Sequence, residues 1–349
     1  METKQQHIRL SSVTIVEMYK KVDCILLPYS ASAVYNNLSV KSEKTKKTDT
    51  LCFIHHDTVC IAPTKASAQN KTKFVKCSKF NPDRSIHVTQ VAWCNLGYET
   101  ILIVTSTVGL QVFDQHGEEC IFSHPCSDVT ERYDRGFARG IGIFNAFYFC
   151  IGNSAGCIRM FGPPDLEDEI SFIDRKHNHM YAITDLSAYK EYLISADEEG
   201  IIMVWHLETE ELIHKMTIAS QSHCIGIKLV RDFLVATYGC GKIRLYNVER
   251  DSHKSRINTL NVSLEVAAHA RAITSFDISE NNEYLITVSE DCYCKIWQFY
   301  KDGNSQMLKH VANILIKDSM LLGCKFLTTN GSKFCVSTYD SNIVTCYSL

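Results

Sequence analysis

The sequence of 349 residues lacks any apolar run long enough to cross a membrane as a helix. Its longest runs, such as residues 101–104 and 146–151, are far shorter than the roughly 20 residues that such a helix needs. The N-terminus, METKQQHIRL, also lacks the apolar segment of a secretion signal. These two absences predict a cytoplasmic protein that does not insert into membranes.

A strong net charge is absent as well. The formal net charge is -3, which argues against a global attraction to nucleic acid or to an anionic membrane. The proportions of hydrophobic residues, 45%, and of charged residues, 21%, are those of an ordinary globular protein with a large core. The sixteen cysteines are scattered singly, and in a reducing compartment we expect them to be free and buried.

Signatures of metal and nucleotide binding are incomplete. The pair Cys292-x-Cys294 has no second pair of ligands at the spacing of a zinc site. The stretch GCGK at 239–242 lacks the first Gly and the final Ser or Thr of a phosphate-binding loop. We therefore predict no cofactor, no resident metal and no catalytic site.

The sequence does contain a repeat. Its clearest copies run from Ala268 to Trp297 and from Asn178 to Trp205, and each reads as three short β-rich runs separated by turns. The residue near the end of the third run recurs at seven positions: Ala62, Phe113, Phe161, Trp205, Tyr246, Trp297 and Tyr347. The steps of 41 to 51 residues are at or slightly above the roughly 40 to 45 residues of a four-stranded propeller blade. The repeat predicts an all-β, seven-bladed β-propeller in which residues 1–349 form one domain.

A second periodic feature has the same phase. A histidine precedes the end of four of the repeats by 23 to 28 residues: His87, His179, His223 and His269. In this pattern the sequence resembles the WD-repeat family, although the Gly-His and Trp-Asp signatures of that family are degenerate here. The stretches NNLSV, TQVAWC, FARGI and AHARAI, which begin at residues 36, 89, 137 and 268, resemble one WD-repeat protein of ill-defined role more closely. The resemblance implies a WD40-type propeller.

The last repeat is one strand short. Only Ser348 and Leu349 follow Tyr347, and an open ring would expose unpaired backbone groups along the last blade. We expect an N-terminal strand within residues 1–17 to complete this blade and close the ring. Residues 18–33 are predicted to be irregular, and the charged run 41–50 to be a loop in the first blade.

Three polar residues of the sixth repeat are of the types found in a catalytic triad: His269, Ser289 and Asp291. Ser289, however, lacks the surrounding glycines of a nucleophile elbow. The resemblance to WD repeats implies instead that the three form a hydrogen-bonded structural tetrad with Trp297. The fourth repeat matches this network only in part, in His179, Glu199 and Trp205.

An exposed rim is expected where loops join consecutive blades and where tight turns join the second and third strands. Six residues are predicted to lie on this rim: Arg139, Tyr181, Glu198, Arg271, Glu290 and Tyr339. Tyr and Arg are enriched at binding hot spots, so we expect the rim to bind a protein partner. The loop at 125–135 is a second candidate.

The residues therefore favour a non-catalytic scaffold or adaptor for protein–protein interactions in a multiprotein complex, with no nucleic-acid partner. The resemblance permits a signalling or a ciliary complex. The alternative is a substrate receptor of a ubiquitin ligase. That role usually goes with Trp-Asp-x-Arg after the third strand, whereas this sequence has WHLE at 205–208 and WQFY at 297–300. An enzyme ranks third because no catalytic constellation is present.

Overall fold

The computed structural model describes residues 19–43, 48–65, 71–78, 85–97, 99–125, 136–144, 147–163, 169–220, 222–251 and 256–349. Within these residues, strands β1 to β28 form seven four-stranded antiparallel sheets, which are the blades of one ring. The predicted all-β, seven-bladed propeller is confirmed.

Blades 1 to 6 take their strands in chain order from the central channel outwards, whereas blade 7 has the N-terminal β1 as its outermost strand. Blade 1 comprises β2 (Leu38–Glu43), β3 (Thr48–His55), β4 (Thr58–Pro63) and β5 (Lys73–Lys76), and blade 2 comprises β6 (Val88–Leu96), β7 (Glu99–Ser106), β8 (Gly109–Asp114) and β9 (Cys120–Pro125). Blade 3 comprises β10 (Ala138–Phe144), β11 (Tyr148–Asn153), β12 (Cys157–Gly162) and β13 (Ser171–His177), and blade 4 comprises β14 (Ile183–Tyr189), β15 (Tyr192–Asp197), β16 (Ile202–Glu208) and β17 (Glu211–Ile218). Blade 5 comprises β18 (Cys224–Leu229), β19 (Phe233–Tyr238), β20 (Lys242–Arg250) and β21 (Ile257–Ala267). Blade 6 comprises β22 (Ile273–Ile278), β23 (Tyr284–Ser289), β24 (Tyr293–Asp302) and β25 (Ser305–Leu315). Blade 7 comprises β26 (Leu321–Phe326), β27 (Lys333–Thr338), β28 (Ile343–Ser348) and the N-terminal β1 (Lys20–Leu26).

The hydrophobic core lies between neighbouring blades. Each of the seven repeat positions read from the sequence, from Ala62 to Tyr347, lies on the third strand of its blade. Trp205, for example, is buried among Met160 of blade 3 and Leu193 of blade 4. The described cysteines are all free thiols and most are buried, as expected. Burial raises the pKa of Cys60 and Cys94 to about 12, which keeps these thiols protonated and unreactive.

The ring is closed by β1, which pairs antiparallel with β28 from Lys20↔Ser348 to Leu26↔Ile343. The hydroxyl of Tyr19, just before this strand, donates a hydrogen bond of 2.9 Å to the Gly331 carbonyl. The prediction that an N-terminal strand completes the last blade is confirmed.

The position of that strand is a correction. The predicted segment 1–17 lies outside the described residues, and β1 falls in the stretch 18–33 that was predicted to be irregular. The strand is hard to recognise in the sequence KKVDCIL, because most of its side chains are exposed or half-buried. A bulge also interrupts its pairing between Lys21 and Asp23. Only Ile25 of this strand is fully buried, so the usual alternation of apolar and polar residues is weak.

The charged run 41–50 is also corrected. Residues 41–43 belong to β2 and 48–50 to β3, with pairing up to Glu43↔Thr48, whereas 44–47 lie outside the described residues. The charge does not prevent strand formation because it remains at the surface. Lys41 Nζ, for example, donates a hydrogen bond of 2.7 Å to Gln115 on the neighbouring blade.

Six blades share an irregularity at the start of their first strand, where one extra residue interrupts the pairing with the second strand. These residues are Thr89, Gly140, Thr184, Ile225, Thr274 and Leu322. A bulge leaves backbone groups unpaired in the ladder and re-aims them. Here the freed carbonyls of Thr184 and Thr274 face the end of the channel, where Arg139 and the Asn36 amide donate to them at 3.2 and 3.0 Å.

Candidate functional site

The predicted site residues lie towards one face of the propeller, which we call the loop face. It carries the loops that join consecutive blades and the turns between second and third strands. The opposite face carries the turns between first and second strands and between third and fourth strands.

A chain of hydrogen bonds anchors the loop face at blade 6. His269 Nδ1 lies 3.0 Å from Asp291 Oδ2, and His269 Nε2 lies 2.9 Å from Thr287 Oγ1. The indole N–H of Trp297 donates to the same Thr287 oxygen at 3.0 Å. Asp291 also accepts from the backbone amides of Ala270 and Tyr293, each at 3.0 Å.

One member of the predicted tetrad is therefore wrong, because Thr287 and not Ser289 joins His269 to Trp297. Ser289 Oγ instead donates to the Arg271 carbonyl and accepts from the Asp291 amide, each at 3.2 Å. Both hydroxyls belong to β23, two residues apart and on the same face of the strand. The spacing in the sequence could have identified Thr287, because it precedes Trp297 by ten residues, as Ser195 precedes Trp205 in blade 4.

Blade 4 carries a complete network of the same kind, although only part of one was predicted. His179 lies 2.8 Å from Asp197 and 2.6 Å from Ser195, and Trp205 donates to Ser195 at 2.9 Å. The carboxylate comes from Asp197 and not from Glu199. Asp197 reaches both the histidine and the turn amide of Ile201, the latter at 2.8 Å.

These networks have the hydrogen-bond pattern of a Ser-His-Asp triad, but their hydroxyl groups are not accessible from the surface. Ser195 and Thr287 have no exposed surface, and each hydroxyl already accepts an indole N–H. Burial lowers the pKa of His269 to about 4 despite the opposing effect of Asp291. Burial also pushes the pKa of Asp291 upwards, but two backbone amides and His269 outweigh this and hold it below its ordinary value. The arrangement therefore fixes loops and turns, and no substrate reaches the hydroxyls.

Several predicted rim residues are exposed on the loop face. Tyr181 is 43% exposed and Tyr339 51%, and Met180, which was not predicted, is 88% exposed. Glu198 is exposed on the turn after β15. The Arg271 side chain is 67% exposed and its Nε lies 3.4 Å from the half-buried Glu290.

Arg139 does not lie on the rim. It is half-buried at the channel, where Nε donates to the Thr184 carbonyl and one Nη donates to the Tyr35 carbonyl at 3.3 Å. The Phe137 carbonyl accepts from the Ser154 amide as the Ala182 carbonyl accepts from the Glu198 amide, so Phe137 does not occupy the histidine position. Arg139 therefore falls on the inner strand β10, whereas Tyr181 and Arg271 lie on loops. The prediction of Arg139 as a surface residue is wrong for that reason.

Tyr35 is a site residue that the sequence did not single out. Its hydroxyl donates to Glu290 on blade 6 at 2.5 Å, while its carbonyl accepts from Arg139 on blade 3. The next amide, that of Asn36, donates to Leu322 on blade 7 at 2.9 Å. A residue that joins blades 3, 6 and 7 must lie over the channel, so Tyr35 covers its end at the loop face. In the sequence, the nearest stretch that had been singled out is NNLSV, which begins at the next residue, Asn36.

Among the described residues, no cluster of three or more His, Cys, Asp or Glu side chains could hold a metal ion. The same part of the chain contains no helix of sufficient length and apolarity to span a membrane. The loop at 126–135, part of the second candidate for partner binding, lies outside the described residues.

Seven blades, loop-face histidines and buried Trp-linked networks define a WD-repeat β-propeller. A chain in the crystal structure of a mitotic checkpoint complex has the same fold, with a TM-score of 0.72 at 13% identity and coverage of 100% of this chain and 99% of that chain.

The particular family is given by sequence. The family model described as WDR54 matches residues 18–349, and the chain belongs to that family. It is 26% identical to WD repeat domain 54 of Rattus norvegicus and 25% identical to WD repeat-containing protein 54 of Homo sapiens. Each alignment spans 337 residues, which is 93% of this chain and 97% of the relative. WD-repeat propellers are generally non-catalytic, and the family suggests a scaffold for protein–protein interactions.

Proposed function

We propose that the protein is a non-catalytic subunit of a multiprotein complex that binds a protein partner on its loop face. The observation that carries the proposal is the exposure of Met180, Tyr181, Arg271 and Tyr339 around the covered end of the channel. Aromatic residues, Met and Arg are the types enriched at protein interfaces, and hot spots concentrate in Tyr, Trp and Arg.

The networks beneath these residues support the proposal. His179 is locked by Asp197 and Ser195 and directly precedes the exposed pair Met180 and Tyr181. His269 is locked in the same way two residues before Arg271. A binding residue on a fixed loop loses less conformational entropy when a partner binds, so more of its contact energy contributes to affinity.

The same proposal includes a cytoplasmic location and a complex that acts in signalling or in cilia. The alternative role as a ubiquitin-ligase substrate receptor has less support because the Trp-Asp-x-Arg motif is replaced in both Trp repeats. In blade 4 the replacing residues His206 and Glu208 bond to each other at 2.9 Å, and Glu208 also pairs with Lys215.

The test compares partner capture by the tagged wild-type chain and by a triple variant carrying Tyr181→Ala, Arg271→Ala and Tyr339→Ala. The matched control is Tyr300→Ala, because Tyr300 is 45% exposed but lies near the opposite face. We expect proteins that co-purify with the wild type and the control, identified by mass spectrometry, to be lost from the triple variant at an unchanged Tm. Undiminished capture by the triple variant would rule out the loop face, and ligase adaptors among the proteins would favour the alternative.

A further inference from the structure

The channel contains a cavity that the proposed function does not use. It has a volume of about 330 Å³, within the range of small-molecule sites, and is lined by the first strands of the blades. Its lining is mixed, with polar residues such as Gln90 beside apolar ones such as Phe276. Tyr35 covers the channel at the loop face, whereas a wider cavity that shares Lys228 and Asp277 opens it at the opposite face.

Five ionisable side chains line this cavity, and four of them have partners. Asp185 accepts from the amides of Ile227 and Leu186, each at 3.0 Å. Asp277 accepts from the Phe326 amide at 2.9 Å and lies 3.5 Å from Lys325 Nζ. Arg139 is held by the carbonyls of Thr184 and Tyr35. The fifth is Lys228.

Lys228 makes no hydrogen bond or ion pair with any residue in the described part of the chain. Its side chain is exposed within the channel, where it lines both the inner cavity and the wider opening. Burial, together with the nearby Lys325, lowers the pKa of Lys228 despite Asp277 and Asp185. An ammonium in such a place gains from an anionic partner more than one at the surface does, because screening by water is weaker.

The geometry points to Lys228 as the anion-binding residue of a channel site for a small monocarboxylate. Three cationic and two anionic groups in the cavity leave one positive charge, which matches a single carboxylate. The wider opening carries the carboxylates of Asp49 and Glu280, which disfavour polyanions.

The probes are hexanoate and benzoate, each compared with chloride at equal sodium concentration, and Tm is measured by differential scanning fluorimetry. We expect hexanoate or benzoate to raise the Tm of the wild type by about 2 to 4 °C, because a ligand that binds only the folded state stabilises it. Phosphate should raise it less. Lys228→Met should remove the rise, and Lys228→Arg should keep it. The matched control, Lys317→Met, changes an exposed loop lysine and should respond like the wild type.

No rise in the wild type with either carboxylate would overturn the proposal, as would an equal rise in Lys228→Met. A rise with phosphate as large as that with the carboxylates would overturn the monocarboxylate class. If Lys228→Met unfolds, the comparison of the wild type, Lys228→Arg and Lys317→Met in isothermal titration with hexanoate decides the matter, because absence of binding heat in all three refutes the site.

Discussion

His179 and His269 each stand in a chain of hydrogen bonds that runs in one direction. The indole N–H donates to a hydroxyl, the hydroxyl is bonded to Nε2, and Nδ1–H donates to a carboxylate, which can only accept. Burial keeps the His269 ring neutral, so its Nε2 accepts from the Thr287 hydroxyl. The buried polar groups are then all paired, which is what makes such networks stabilising.

The carboxylate of Asp291 holds three donors, so its removal should be costly. We expect Asp291→Ala to lower the free energy of unfolding by about 1 to 3 kcal/mol, because the His269 N–H and two amides lose their acceptor. The matched control is Glu199→Ala, which removes an exposed carboxylate at the corresponding turn position of blade 4. Its effect should stay within about 0.5 kcal/mol. Equal effects of the two changes in urea unfolding would contradict the assignment of Asp291.

The protonation state of His269 makes stability depend on pH. Its folded-state pKa of about 4 lies below the ordinary 6.5, so the unfolded chain binds the proton first as pH falls. This contribution to stability is complete above pH 6.5 and is lost as pH falls towards 4, with a slope of up to about 1.4 kcal/mol per pH unit. An NMR titration of the His269 ring should show the neutral imidazole down to about pH 5. A midpoint near 6.5 would contradict the buried, neutral histidine.

At the scale of elements, the turns between second and third strands are built to touch the next blade. Gly241 has φ +80°, and a Cβ there would lie 2.2 Å from the His269 carbonyl and 2.8 Å from that of Arg271. The Gly241 carbonyl also accepts from the amides of Ala268 and His269. The turn of blade 5 thus supports the loop that presents Arg271 on blade 6.

This contact predicts a position-specific effect of alanine. Gly241→Ala should cost at least about 2 kcal/mol in thermal or urea unfolding, because it combines backbone strain with a steric clash. Gly303→Ala is the matched control, since Gly303 also has a positive φ, +58°, but a Cβ there meets nothing within 4 Å. Its cost should be about 1 kcal/mol, from strain alone. A Gly303 variant as unstable as the Gly241 variant would show that the contact between blades is unimportant.

The sequence predicted the elements that repeat and missed those that do not. The recurring residue of each third strand, aromatic in six of the seven blades, and the four loop histidines follow the blade period. This periodicity predicted the seven blades. Arg139 was misplaced because Phe137 was taken as the equivalent of the loop histidines, whereas its hydrogen bond to Ser154 makes it the equivalent of Ala182. Thr287 was confused with Ser289 because both hydroxyls share one face of β23. Tyr35 and Lys228 could not have been found, because their importance depends on blades far apart in sequence that meet at the channel.

At the scale of the whole molecule, one cluster of buried residues joins the two ends of the chain. Ile25 and Leu27 pack with Val344 and Cys346 of blade 7 and with Phe53 of blade 1. The backbone continues this closure, because the Leu27 amide donates to the Asn342 carbonyl at 2.8 Å. Without β1, the strand β28 would be an unpaired edge, and such edges promote aggregation.

Closure is testable within one strand. Ile25→Asp places a charge where the side chain has no exposed surface, whereas Val22→Asp, the matched control, changes a residue of β1 that is 53% exposed. We expect Ile25→Asp to lower the free energy of unfolding by more than about 3 kcal/mol and to increase light scattering on heating, because the unpaired charge is costly and β28 loses its neighbour. Val22→Asp should change stability by less than about 0.5 kcal/mol. Matching melting curves for the two variants would mean that β1 does not close the ring.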